Sequence, residues 1–170
     1  MADLPARPDF DQLRRQAKDL LRAARVGDAD AVRRIRAVDE RLALATAQLA
    51  LAREYGFASW PSLRTEVLRR EVLDSGDPER LRALLGQDPQ LAITRMEHWC
   101  DHRKGASPLA YVAMLRYDTS RGLWRDVPGA GALARALIEA GAPVDGEPGQ
   151  PETPLITAAS LSRRVRPPAT

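Results

Sequence analysis

Two short phrases of the same make constrain this chain more than any other feature: Ser107-Pro108-Leu109-Ala110-Tyr111-Val112-Ala113 and Thr153-Pro154-Leu155-Ile156-Thr157-Ala158-Ala159. In each, a hydroxyl side chain can cap a helix, and the proline behind it takes the first helical position, where its missing N–H is not needed. Leu109, Val112 and Ala113, and likewise Leu155, Ala158 and Ala159, fall at helical spacing. They place small or apolar groups on one face, which suits close stacking of helix on helix. Between the copies, Ala136-Leu137-Ile138-Glu139-Ala140-Gly141-Ala142 reads as a helix closed by Gly141. Glycine alone adopts the left-handed end conformation without a Cβ penalty. A repeated capped start with a glycine stop predicts an all-α stack of helices.

These residues resemble the ankyrin repeat, whose units open with Thr-Pro-Leu and close with a Leu-Leu helix ending in Gly-Ala. The resemblance implies a helical solenoid that serves as a recognition surface and carries no chemistry of its own. Ser75-Gly76-Asp77-Pro78-Glu79-Arg80-Leu81-Arg82-Ala83-Leu84-Leu85 matches the turn and outer helix of such a unit, with Asp77 as cap. Its inner helix would be the end of the helix that starts at Trp60. The chain departs from the pattern in two ways. The usual His after Thr-Pro-Leu is replaced by Ala110 and Ile156, which removes its hydrogen bonds between repeats. Pro108 and Pro154 stand 46 positions apart, against roughly 33 for a regular repeat. The extra residues are assigned to an insert at 116–131, where turn formers from Tyr117 to Gly129 interrupt the helical pattern. Insertions in solenoids emerge as loops on one face, often the binding face.

Before residue 62 the pattern is also helical. Asp9 with Gln12 forms a capping-box signature, and Phe10, Leu13, Ala17, Leu20, Leu21 and Ala24 make one apolar stripe. Gly27 ends that helix, and Asp28 caps a second one that points Val32, Ile35 and Val38 inward. A third runs from Leu44 to Tyr55 and ends at Gly56; a fourth starts at Ser59-Trp60-Pro61 and carries Leu63, Val67 and Leu68. Phe57 and Trp60, which flank a helix start, read as core residues that fix the angle between two helices. The stretch from Leu49 to Leu63, with Leu4-Pro5-Ala6-Arg7-Pro8 and Leu13-Arg14-Arg15-Gln16-Ala17-Lys18, resembles a leader found ahead of ankyrin repeats in bacterial proteins. It implies an actinobacterial-type origin and an N-terminal helical cap.

The expected organisation is therefore a cap over residues 1–61 and degenerate ankyrin-like repeats over 62–170, joined in one continuous domain. The last repeat reads as incomplete, because Ser160 to Thr170 lacks the glycine turn and Pro167-Pro168 excludes a continuing helix. The chain thus looks short or truncated, and an uncapped apolar end would drive homodimerisation.

No stretch is long and apolar enough to span a bilayer, the start lacks the basic and apolar segments of a secretory leader, and Cys100 is the sole cysteine. These features predict a cytoplasmic protein. The net charge of +3 and a pI near 9.5 raise the question of nucleic acid. Arg14, Arg15, Lys18, Arg22 and Arg25 form a basic helix face. Elsewhere the basic residues are interleaved with acids and no nucleic-acid motif accompanies them, so a solvated surface is expected and nucleic acid is not the expected partner.

Chemistry-bearing residues concentrate in His98-Trp99-Cys100-Asp101-His102, which holds both histidines and the only cysteine. A structural zinc site draws four ligands from two separated pairs. Here there is one cluster, so no metal or other cofactor is expected. A thiolate–imidazole pair would also need an orienting group and an oxyanion site. The cluster falls where an ankyrin unit places its exposed finger loop, between Pro89 and Ser107. Trp99, His102 and Arg103 are accordingly read as contact residues, together with Tyr117, Trp124 and Arg125 of the insert, because Trp, Tyr and Arg are enriched at interface hot spots. The expected function is a non-catalytic protein–protein interaction module that binds a protein or peptide. The alternative is a small enzyme on a helical-repeat scaffold with a pocket near this cluster, in which His98, Cys100, Asp101 or His102 would supply acid–base or nucleophilic function.

Overall fold

The computed structural model describes residues 4–5, 8–96, 105–115, 117–118, 123–124, 127–145 and 153–154. Helix α1 spans Phe10–Arg25 and starts where Asp9 accepts hydrogen bonds from the backbone N–H groups of Asp11 and Gln12. Asp28 does the same for α2, Ala29–Arg36, through the N–H of Ala31. Helix α3 covers Leu44–Glu54 and α4 Trp60–Ser75. The Ser59 hydroxyl, which accepts from the Ser62 N–H, caps α4. Each carboxylate or hydroxyl satisfies a helix-start N–H that has no partner within its helix.

By packing, the described residues form two compact units, one up to Leu68 and one from Arg69 onward, with the division falling inside α4. In the first unit the apolar stripe of α1 splits between two clusters. Leu13 and Ala17 meet Leu4, Leu51, Ala52, Phe57, Leu63 and Val67. Leu20, Leu21 and Ala24 meet Ala31, Ile35, Ala47 and Ala50. Alanines at 17, 47 and 52 are fully buried, and their small size lets the helix backbones approach closely. Phe57 is buried, while Phe10 and Trp60 pack at the edge with ring centroids 5.2 Å apart and tilted by 42°. Both sequence-predicted aromatics thus serve the core. Val32 and Val38 are only partly buried against it, and Leu68 is half-buried.

The second unit continues from α4 through a turn at Gly76 into α5, Pro78–Gln87, where Asp77 accepts from the N–H groups of Glu79 and Arg80. Asp88 then opens a single 3-10 turn, Pro89–Ala92. Helix α6, Pro108–Met114, begins with the Ser107 hydroxyl accepting from the Ala110 N–H, as the first repeated phrase predicts. Helix α7, Ala130–Glu139, packs on α5 and α6 and buries Leu133, Ala136 and Leu137. Gly141 closes α7 with φ near 99°, its N–H bonded to Ile138 and that of Ala142 to Leu137. From the second phrase only Thr153 and Pro154 are described, with Pro154 buried.

The insert differs from the sequence expectation in form. Residues Tyr117–Asp118 (β1) and Leu123–Trp124 (β2) pair antiparallel, Tyr117 opposite Trp124 and Asp118 opposite Leu123. Helix α7 begins at Ala130, inside the assigned insert. Gly129, at φ 89° and in close approach to Gly76, is the residue just before it. The described structure is all-helical apart from this small hairpin. Among the described residues no helix is long and apolar enough to cross a membrane.

Candidate functional site

Charged residues interrupt the buried face of α4 at Glu66, Arg69 and Arg70, all at most 5% exposed. Arg69 has an evident structural use. Its guanidinium donates from Nη1 to the carbonyls of Leu91 at 3.2 Å and Thr94 at 2.7 Å, and from Nη2 to that of Arg95 at 3.2 Å. A planar fork of fixed N–H groups is suited to gathering several carbonyls that leave a helical turn without partners. The chain is thereby anchored just before residue 97. Met96, fully buried, donates its N–H to Ala106 at 2.9 Å and accepts from Gly105 at 3.1 Å. Gly105, at φ 82°, makes the return. The two ends of the 97–104 segment are thus joined to each other and tied to α4, and Ser107 starts α6 immediately afterwards.

His98, Trp99, Cys100, Asp101, His102 and Arg103 lie outside the described residues, as does Arg125. Tyr117 and Trp124 are brought together as register partners of the hairpin. The structure therefore describes the two ends of the segment that contains the predicted cluster, and not the cluster itself. A second anchor lies nearby in the same unit: the Tyr111 hydroxyl of α6 donates to the Asp74 carboxylate of α4.

The first unit holds a solvent-open groove of about 480 Å³ among α1, α2 and α3, lined in part by Gln16, Asp19, Asp30, Arg34, Glu54 and Tyr55. Its best-defined contact is a two-pronged ion pair, Arg34 Nε to Glu54 Oε1 and Arg34 Nη2 to Glu54 Oε2, both 2.7 Å. The hydrogen-bonded Glu54 carboxylate raises the Arg34 pKa above its ordinary value, against the opposing effect of burial; the charges of Glu54 and Asp30 add to the rise. Asp30 also pairs with Arg33, and Asp19 with Arg22 at 3.1 Å. The groove's acids are thus largely matched by arginines of its own helices, and its evident role is to clamp α2 to α3.

Neither Arg69 nor the Arg34–Glu54 clamp was singled out from the sequence. A signal existed close to the first, at its neighbours in α4. Leu63, Glu66, Val67, Arg70 and Leu73 share one helical stripe, so charges at 66 and 70 break an otherwise apolar face, and such a break marks a buried polar network. Arg34 and Glu54 are 20 positions apart and no local pattern links them. Compared with known proteins, the chain matches no family model, no curated protein and no solved structure.

Proposed function

We propose that this chain is a non-catalytic recognition module: a degenerate ankyrin-like helical stack that binds a protein or peptide through the 97–104 and 117–125 segments. Trp99, His102, Arg103, Tyr117, Trp124 and Arg125 would supply the contacts. The observation that carries this reading is the anchored base of the 97–104 segment, with three carbonyls on the Arg69 guanidinium and two backbone bonds joining Met96 to Gly105 and Ala106. Binding loops work best when a rigid scaffold fixes their ends, because less ordering entropy is lost on association. The ankyrin-like part of the reading is supported by two capped, proline-led helices, α5 and α6, and by α7 with its glycine stop packed against both.

The test is affinity capture from a lysate of the source organism with the intact protein and with a Trp99→Ala/Trp124→Ala variant of equal thermal stability. Retention of one identified protein by the intact chain and at least tenfold weaker binding of that purified protein by the variant are the expected results. Equal binding by both would remove the assigned surface.

A further inference from the structure

The exposed face of α1 carries five cations, Arg14, Arg15, Lys18, Arg22 and Arg25. At 3.6 residues per turn they fall within an arc of about 100° and extend along about 16 Å of the helix axis. Arg14 and Arg22 are paired with Asp11 and Asp19, each at 3.1 Å and largely exposed. Such surface pairs are worth about 0–1 kcal/mol and exchange readily for a stronger anion. Arg15, Lys18 and Arg25 have no ion pair among the described residues. The opposite face, Leu13, Ala17, Leu20, Leu21 and Ala24, is buried in the core of the first unit.

From this arrangement we infer that α1 is a docking surface for the phosphate backbone of nucleic acid, a partner that the interleaved charges of the sequence do not by themselves lead one to expect. The cations form a band along the helix that outnumbers the two acids of that side, Asp11 and Asp19, and four of the five are arginines, whose planar fork can hold a phosphate through two parallel bonds. An anionic membrane is the poorer occupant. The apolar face that a helix lying in a membrane surface buries in lipid is already taken by the core, which leaves a membrane only the electrostatic attraction of the cations. Backbone contacts of this kind position a duplex without reading its sequence, so binding is expected to be independent of base sequence.

The test is fluorescence anisotropy with the full chain and a labelled mixed-sequence DNA duplex at about 50 to 200 mM salt, the range over which phosphate contacts are most revealing. Three to five contacts predict a slope of log K against log salt of about −2.7 to −4.5. The variant Arg15→Gln/Lys18→Gln/Arg25→Gln, chosen because these side chains are exposed and form no ion pair among the described residues, is expected to keep its circular dichroism, lose at least tenfold in affinity at the lowest salt, and show a slope shallower by about 2.7. Replacing Arg15 and Arg25 by Lys is expected to restore most of the salt slope. The inference is overturned if the wild type does not bind at the lowest salt, if its slope is near zero, if the glutamine variant binds equally well, or if vesicles of anionic lipid bind the wild type more tightly than the duplex does.

Discussion

Gly76 and Gly129 offer a way to weigh one close backbone contact. Both have positive φ, 73° and 89°, and a Cβ built on Gly129 would lie 2.3 Å from the Gly76 carbonyl oxygen and 3.4 Å from its carbon. A Cβ on Gly76 would lie 2.8 Å from the Pro128 oxygen. Gly129→Ala therefore incurs two costs. The left-handed conformation costs a residue with a Cβ about 1–2 kcal/mol, and moving main chain apart to relieve the overlap costs about 1–3 kcal/mol. The expected loss of stability is about 2–5 kcal/mol. Gly141→Ala is the control within the same unit. Its φ is 99°, but the nearest atom to the new Cβ would be Ile93 Cδ1 at 3.8 Å, an ordinary contact, so only the conformational cost of about 1–2 kcal/mol applies. Urea denaturation followed by far-ultraviolet circular dichroism is expected to place Gly129→Ala about 1–3 kcal/mol below Gly141→Ala. The Gly76→Ala/Gly129→Ala double variant is expected to lose less than the sum of the singles, because both remove one shared approach. Equal losses for Gly129→Ala and Gly141→Ala would refute the reasoning.

Arg69→Met is expected to cost about 3 kcal/mol or more, because the carbonyls of Leu91, Thr94 and Arg95 lose a common donor; Arg69→Lys recovers only part of this in the same denaturation assay, since an ammonium cannot reproduce the fork. Ile35→Ala, at a fully buried site between α1 and α3, is expected to cost about 2–5 kcal/mol by chemical denaturation. Glu54→Gln weakens a half-exposed pair and is expected to cost about 0.5–1 kcal/mol. The Arg34 pKa is raised by Glu54, so its contribution is complete below the ordinary arginine range and is lost only as pH rises past it. The stability difference between wild type and Glu54→Gln should accordingly be flat from about pH 6 to 9, and a difference that vanished within that interval would contradict the assignment.

The helices of this chain were legible because their ends are written in local chemistry. Asp9, Asp28, Asp77 and Ser107 all cap where the sequence predicted, and Gly56 and Gly141 both take the left-handed turn. The hairpin was not legible. Two-residue strands leave no period to detect, and Tyr117 and Trp124 find each other through register and not through spacing. The close approach of Gly129 to Gly76 was not legible either, because it joins residues 53 positions apart in the chain. The same limit hid the Arg69 anchor, whose partners lie 22 to 26 positions away. Of the predicted contact residues, the sequence identified types suited to recognition, while the structure contributes the anchored residues on either side of the 97–104 segment.

The most direct test of the proposed recognition surface is hydrogen–deuterium exchange on the purified chain, alone and with any protein identified by capture. In the free protein the Met96 and Gly105 amides, both hydrogen-bonded, are expected to exchange slowly. Addition of the partner is expected to slow exchange over 97–104 and 117–125. Rapid exchange at Met96 and Gly105 in the free chain, or protection confined to other parts of the protein on binding, would contradict the account.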